Sequence, residues 1–441
     1  MIVKLPYGKE IVEFTYKEDR FKLIENNYIV NRINDEGIVK KFYSPHNNVP
    51  LDRFLDKDDK ILVIVSDATR FTASDKIINL LLWELAAIGI KRDNIEFIIA
   101  LGMHRVPTRC EISMIIGDDV SKSFKIHIHN AFDIGAMKYL GITRYGTPVY
   151  VNSKLFKFNK IIIISAIGYH YFAGYSGGRK SLIPGLASIE TIKANHRLVI
   201  SERGFGKNPN ASMAKLYNNP VHLDLMEAAN MIKIPIICIN TILHRRELID
   251  VVCGNLEESF YKACLDFSLI SNVEVWDKRD IVIASCGGYP RDISVIQALK
   301  SLENATYFCK EGGIIILLAQ CKGGMGNREF SNWLNYKDVD IFKEKLIRHY
   351  AINGQPAFTW RLHSINYQII MVSQLPDRFQ SKLNVRLFNL LDEAYKFSLT
   401  KLYSDWKGYI ILHCWETIPS DLINFSELES LRLNKGRGFK I

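Results

Sequence analysis

The stretch ILVIVSDATR, Ile61–Arg70, decides the fold class. Its first five residues are all aliphatic, so the strand they predict over Ile61–Val65 has no polar face and must be covered on both sides. That is the mark of a parallel strand in a layered α/β protein. The chain then turns polar, Ser66-Asp67-Ala68-Thr69-Arg70, before Ser74 and the Leu- and Ala-rich run Asp75–Ile88 read as a capped helix. Working outward, the same order recurs at Ile95–Leu101, Ile161–Ile164 (IIII), Ile281–Ala284 (IVIA) and Ile314–Ala319 (IIILLA). Apolar runs separated by helical segments predict two domains with parallel, Rossmann-like layered sheets. The mixed stretch near Leu269–Asp277 is the expected boundary. It gives an N-terminal α/β domain over 1–270 and a C-terminal α/β domain over 271–441. Residues 330–441 are aromatic and mixed and say little about chemistry.

Composition narrows the class. A chain of 441 residues with 48% hydrophobic and 24% charged residues can bury a core, which excludes disordered, collagen-like and disulfide-dense proteins. Lys plus Arg (57) exceed Asp plus Glu (47) by 10. The excess is dispersed, so it reads as a solvated basic surface and not as a nucleic-acid footprint. None of the eight cysteines pairs as C-x-x-C or sits at zinc spacing with histidine. Several lie in apolar runs, as reduced thiols do. The N-terminus lacks a signal-peptide apolar core, and no run of about 18 apolar residues predicts a membrane span. A cytoplasmic protein is expected.

In open parallel sheets, ligands collect beyond the carboxyl ends of the strands. Four such exits carry chemistry here: Asp67-Ala68-Thr69-Arg70, Gly102-Met103-His104-Arg105, Gly168-Tyr169-His170 with Ala173–Lys180, and Gly287-Gly288-Tyr289-Pro290. One loop of this kind would mean little; four make a shared crevice the economical reading. His104 and His170 follow strands and suit paired acid and base work. Arg70 suits capture of a carboxylate or phosphate, and Asp67 could orient that Arg or a His. The Gly174–Lys180 loop resembles a phosphate loop, but a second glycine would have to fall at 179, which is Arg, and Pro184-Gly185 stops any helix. A nucleotide-binding phosphotransferase built on that loop is the competing reading. What remains is a lysine on a glycine-rich turn, suited to a nucleophile or an attachment point. His196 lies in a helix predicted over Ser188–Ile200, on one face with Ile189 and Ile192, where it could be a core residue or a metal ligand. Gln297 and Lys300 share a face of a helix starting near Asp292.

Taken together, these residues resemble the nickel-dependent lactate racemase family. The motifs are D-x-T-R (Asp67, Thr69, Arg70), G-x-H-R (Gly102, His104, Arg105) and H-x-F-A-G-x-S-G-G-R-K (His170 to Lys180). They continue through P-G (Pro184, Gly185), A-N-H (Ala194 to His196) and G-G-Y-P followed by Q-x-x-K (Gly287–Pro290, Gln297, Lys300). The resemblance implies a two-domain α/β fold with the active site in the inter-domain crevice. It implies a nickel pincer nucleotide (pyridinium-3,5-bisthiocarboxylic acid mononucleotide nickel), attached through Lys180, with His196 as the protein ligand to nickel. Asp67, Thr69 and Ser176 would lie at the cofactor, and Arg70, Gln297 and Lys300 would hold the substrate. His104 and His170 would be the catalytic acid/base pair in racemisation or epimerisation of a 2-hydroxy acid by hydride transfer. Cofactor maturation enzymes are the implied partners. Lactate-specific members carry Tyr immediately before the Gln of Q-x-x-K; here it is Ile296, and Met103 and Tyr169 flank the two histidines, so the resemblance implies a 2-hydroxy acid substrate without fixing it as lactate.

Overall fold

The computed structural model describes residues 1–25, 31–201, 206–275 and 277–433. Its principal strands, in chain order, are β1 (Phe21–Ile24), β2 (Ile61–Ser66), β3 (Ile95–Ala100), β4 (Lys125–Ile128), β5 (Lys160–Ile167), β6 (Ile236–His244), β7 (Glu247–Gly254), β8 (Arg279–Ser285), β9 (Cys309–Leu318), β10 (Gln368–Val372), β11 (Arg386–Phe388) and β12 (Gly408–Ile411). The helices that bear on the sites are α1 (Ser74–Ile88), α2 (Arg109–Ile116), α3 (Ile189–Arg197), α4 (Pro220–Asn230), α5 (Glu258–Ile270) and α6 (Val295–Thr306).

The chain forms two units. The larger comprises 29–199, 209–270 and 424–441; the smaller comprises 1–28, 200–208 and 271–423. Against the expected division into 1–270 and 271–441, the N-terminal segment joins the smaller unit because β1 hydrogen-bonds along β12, Phe21 opposite Gly408. The helix expected to reach Ile200 stops at Arg197, and Ile200 is buried in the smaller unit's core.

The larger unit's sheet runs β7-β6-β5-β2-β3-β4, parallel except for β7. Val63, Val65, Ile162 and Ile164 pack on Ile77, Ile78, Leu81 and Leu85 of α1. Ser74 opens α1 without capping it. Its hydroxyl bonds the Ile115 carbonyl instead, and Ala73 precedes the helix in a left-handed conformation. The smaller unit's sheet runs β11-β10-β9-β8-β12-β1, all parallel. Its strands alternate between two cores: Val282 and Ala284 face one with Leu299, Leu302 and Trp360, while Ile281 and Ile283 face the other with Leu5 and Phe14. Burial of both faces explains why these strands read as unbroken apolar runs.

Each sheet changes direction once. In the larger unit β2, β3 and β4 progress to one side and β5, β6 and β7 to the other, so the order reverses between β2 and β5. In the smaller unit it reverses between β8 and β12. The crevice at such a reversal, beyond the strand carboxyl ends, is where open α/β sheets bind ligands.

Candidate active site

Asp67 and His170 come from the two loops that flank the larger unit's reversal point, those after β2 and β5. Asp67 is buried, and its Oδ1 accepts from the Thr69 amide at 3.0 Å and the Thr69 hydroxyl at 2.7 Å. Its Oδ2 holds His104 Nδ1 in a short hydrogen bond. Burial pushes the Asp67 carboxyl up. His104, Thr69 and the Arg70 charge together outweigh burial and hold it below its ordinary value, as a carboxylate. That carboxylate accepts a hydrogen bond from His104 Nδ1–H, which keeps the ring proton on Nδ1 and leaves the Nε2 lone pair as the basic position. The His104 loop is pinned in turn, because the Gly102 amide donates to the Gly185 carbonyl at 2.9 Å. Arg105 of the same motif is engaged elsewhere: it forks onto Glu111, whose carboxylate completes the capping box of α2.

The loop after β5 doubles back as a short hairpin, with His170 paired to Gly174 and Tyr169 to Tyr175. Gly174 has φ +75°, and a Cβ there would come within 2.3 Å of the Lys215 carbonyl; at Gly177 (φ +81°) it would meet the Ala166 carbonyl at 2.8 Å. Both positions therefore exclude side chains. His170 Nδ1 accepts from the Ala173 amide at 3.3 Å, which places the proton of the neutral ring on Nε2. Its ring stacks on Tyr171 and meets Phe172 edge to face. The Ser176 hydroxyl donates to the Ala166 and Gly168 carbonyls, so it ties the loop to β5.

Lys180 stands in a single 3-10 turn, Gly178–Ser181. No α-helix starts there, so the loop lacks the helix N-terminus on which a phosphate loop depends. The Lys180 ammonium lies 5.7 Å from the centre of the Phe172 ring. His196, on α3, meets the same ring edge to face at 5.0 Å. Burial and the Lys180 charge depress His196 to about 3, against a weak pull from the Ile192 carbonyl. The ring is therefore a neutral imidazole. Its Nδ1 is sealed from solvent without a hydrogen-bond partner.

Three residues outside the sequence expectations hold this arrangement. Phe172 lies in the quoted motif but carries no polar signal. Arg179 is fully buried: it donates to the Ala173, Tyr175 and Gly177 carbonyls, and its guanidinium lies 4.0 Å over the Phe260 ring. The glycine-rich loop is thus wrapped around its own cation. Asp224 of α4, also buried, accepts from Asn195 at 2.8 Å, Thr147 at 2.8 Å and Thr143, fixing α3 one residue before His196.

Comparison with known proteins follows the motifs. Residues 7–206 match the lactate racemase N-terminal domain family, and residues 275–413 match the lactate racemase C-terminal domain family. A lactate racemase of Thermoanaerobacterium thermosaccharolyticum is 31% identical over 382 residues, covering 84% of this chain and 88% of that protein. The chain belongs to the lactate racemase family. A second relative, the lactate racemase of Lactiplantibacillus plantarum, is 30% identical over 407 residues, 89% of this chain and 93% of that protein. The lactate racemase apoprotein structure from T. thermosaccharolyticum superposes with a TM-score of 0.86 at 27% identity, covering 95% of this chain and 100% of that one. A Thermotoga maritima protein shares the fold at TM-score 0.64 and 19% identity, covering 87% of this chain and 97% of that one. Membership in the lactate racemase family makes the chain an isomerase of the racemase class. Among the described residues no helix is long and apolar enough to cross a membrane.

On the smaller unit, α6 carries Gln297 and Lys300. It starts at Val295, later than expected, because Asp292 is engaged by the Gly8 and Gln320 amides and does not cap it. Lys300 donates to Gln297 Oε1 at 3.0 Å. Ile296 packs against the hydrophobic core at the start of α6.

Proposed function

We propose that the chain interconverts the stereoisomers of a 2-hydroxy acid by reversible hydride transfer, with a nickel pincer nucleotide attached through Lys180 as the carrier. The observation that carries this reading is the meeting of Lys180 and His196 on one aromatic ring. The donor set fits the group. A lysine amine at the rim of the loop supplies an attachment point. The neutral imidazole of His196, whose Nδ1 has no hydrogen-bond partner, supplies a borderline nitrogen ligand suited to nickel. When bound, the group supplies the hydride acceptor and donor that no side chain can provide.

The chain's own residues do the rest. Arg70 presents a guanidinium to the substrate carboxylate, and Gln297 with Lys300 offers further substrate contacts. Asp67 keeps the His104 Nε2 lone pair outward, so His104 accepts the hydroxyl proton as the carbinol C–H bond breaks. The product at that point is a planar 2-keto acid. Hydride delivered to its opposite face leaves an alkoxide that takes its proton from His170 in the imidazolium form, which completes inversion; His104 then returns its proton to solvent and His170 regains one before the next turnover in the same direction. Acting as a base, His170 must move its proton to Nδ1 and release the Ala173 amide. Ile296, in place of the tyrosine of lactate-specific members, favours a substrate whose side chain is more apolar than a methyl group. Thr69 and Ser176 are assigned to the cofactor on resemblance, with Ser176 acting through the loop it braces.

The test is intact mass and metal analysis of protein produced together with cofactor maturation enzymes, followed by chiral assays across 2-hydroxy acids. The expected result is an adduct mapped to Lys180, nickel near one per chain, and racemisation abolished in Lys180→Ala. His196→Ala is expected to keep the adduct and lose the nickel. Equal racemisation by Lys180→Ala and wild type would overturn the reading.

A further inference from the structure

We infer that Ser165 is a positioning residue for Lys180, acting through a one-way chain of buried hydrogen bonds that starts on α5 and ends on the first amide of the lysine turn. The inference rests on the attachment of the cofactor through Lys180 proposed above. Ser165 lies on β5 opposite Asn240 on β6. Both are buried, and so is Ser259 in the first turn of α5. The direction of the chain is fixed at its far end. The Ser259 hydroxyl donates to the Asn255 carbonyl, so its oxygen accepts the next bond, from Asn240 Nδ2 at 3.1 Å. That orients the Asn240 amide and leaves Oδ1 toward β5, where it accepts from the Ser165 hydroxyl at 3.3 Å. With its proton committed, Ser165 presents a lone pair, and the Gly178 amide donates to it at 2.9 Å. Each hydroxyl in the chain both donates and accepts, which is the condition under which a buried polar network fixes one geometry.

The end of the chain is where Lys180 is set. Gly178 opens the 3-10 turn that carries Lys180, and the Lys180 amide closes on the Gly177 carbonyl at 3.1 Å. Gly178 has φ +51°, and a Cβ there would lie 3.0 Å from the Phe260 ring. The turn is therefore anchored by Ser165 and pressed by Phe260, the neighbour of Ser259 on α5. The four residues before Ser165 on β5 are isoleucines, so the strand packs well on apolar side chains alone. The change to serine comes where the glycine-rich loop crosses the strand, since Gly177 lies against the Ala166 carbonyl. Thr241, beside Asn240, does the same for the other loop of the site. Its hydroxyl donates to the Thr72 carbonyl at 3.0 Å, just past the Asp67–Arg70 exit. One strand, β6, thus ties down both loops that flank the larger unit's reversal point.

Four variants of the full chain test this. Ser165→Ala removes the acceptor, Ser165→Cys keeps nearly the same shape with a much weaker acceptor, and Ser165→Thr restores a hydroxyl. Asn240→Ala leaves Ser165 in place and breaks the chain one residue earlier. Two readouts are compared: hydrogen exchange of the Gly178 amide by NMR, and adduct mass on Lys180 after production with the maturation enzymes, expressed per folded chain. Urea unfolding gives the folded fraction. The Gly178 amide is expected to exchange about fivefold faster or more in Ser165→Ala and Ser165→Cys, less so in Asn240→Ala, and near the wild-type rate in Ser165→Thr. Adduct yield is expected to fall in the same order and to recover in Ser165→Thr. Unchanged Gly178 exchange in both Ser165→Ala and Asn240→Ala would overturn the chain. Faster exchange with wild-type adduct yield would confine Ser165 to folding, and wild-type yield in Ser165→Cys beside a loss in Ser165→Ala would assign the effect to packing; either result overturns the positioning role. Absence of an adduct on Lys180 in the wild type is a different failure: it removes the attachment itself, and the role of Ser165 with it.

Discussion

Phe172 meets His196 edge to face, ring centroids 5.0 Å apart and planes at 71°, and its face lies 5.7 Å from the Lys180 ammonium. One apolar ring therefore sets the orientation of both groups proposed to hold the cofactor. An edge-to-face pair contributes about 0.5–1.5 kcal/mol beyond burial, so Phe172→Leu should weaken nickel retention by roughly 2- to 10-fold. The adduct on Lys180 should remain. Nickel content after dialysis against a chelator, compared with adduct mass, checks both parts; undiminished nickel would contradict the orienting role.

Asp67→Asn tests the tautomer argument. The amide can still bond His104 Nδ1 but no longer demands a proton there, so the basic Nε2 is lost in part of the population. Removal of a carboxylate that orients a catalytic imidazole, together with the general-base contribution itself, predicts a fall of about 10²–10⁴ in kcat/KM. For a racemase the equilibrium constant is one, which forces kcat/KM to fall equally for both enantiomers. Any difference between directions must then appear in kcat and KM separately. Unchanged kcat/KM in a loaded Asp67→Asn enzyme would remove Asp67 from the mechanism.

The β-rich half of the fold was legible because strands buried on both faces must be apolar at every position. Ile61–Val65, Ile161–Ile164 and Ile281–Ala284 all lie within central strands. The edge strands β1 and β11 and the short inner strand β12 were not, since three or four residues carry no periodicity. At the site, polar residues in glycine-rich exits announced themselves, and the structure brings Asp67, Thr69 and His104 into one hydrogen-bonded group. The supporting residues were hidden. Nothing local marks Arg179 as buried, because its partners are backbone carbonyls of its own loop, and Asp224 reaches α3 from 29 residues away.

Arg179→Met should separate the loop's two demands. The substitution removes the three hydrogen bonds that Arg179 donates to the Ala173, Tyr175 and Gly177 carbonyls, two of which keep a backbone donor, the Tyr175 amide on Ala173 and the Lys180 amide on Gly177. At about 1 kcal/mol net for each hydrogen bond lost, a loss of about 2–3 kcal/mol is expected in urea unfolding. Arg179→Lys keeps the charge over Phe260 but cannot fork to three carbonyls, so it should recover only part of that stability. If the loop conformation is what exposes Lys180, adduct yield should track the order wild type, Lys, Met. Full adduct yield in a destabilised Arg179→Met would confine Arg179 to folding.

His129 makes the larger unit sensitive to mild acid. Its side chain is fully buried; Nε2 donates to the Ala187 carbonyl at 3.0 Å and Nδ1 accepts from Asn152 Nδ2 at 3.2 Å. The Asn152 amide cannot flip to welcome a proton, because its Oδ1 is held by the Lys154 amide at 3.1 Å. Burial accordingly depresses His129 from 6.5 to about 4. With the folded value below the unfolded one, the unfolded chain binds the extra proton between pH 6.5 and about 4. Stability is thus complete above pH 6.5 and is lost as pH falls through that window, by about 3 kcal/mol at most for this group. His222, buried beside Arg179 and held well below its ordinary value by burial and then by that charge, acts in the same direction. Urea midpoints measured at pH 7.5 and 4.5 should converge in His129→Gln, whose side-chain amide can still donate to Ala187 but does not titrate. An acid loss of the same size in wild type and variant would assign the sensitivity to other groups.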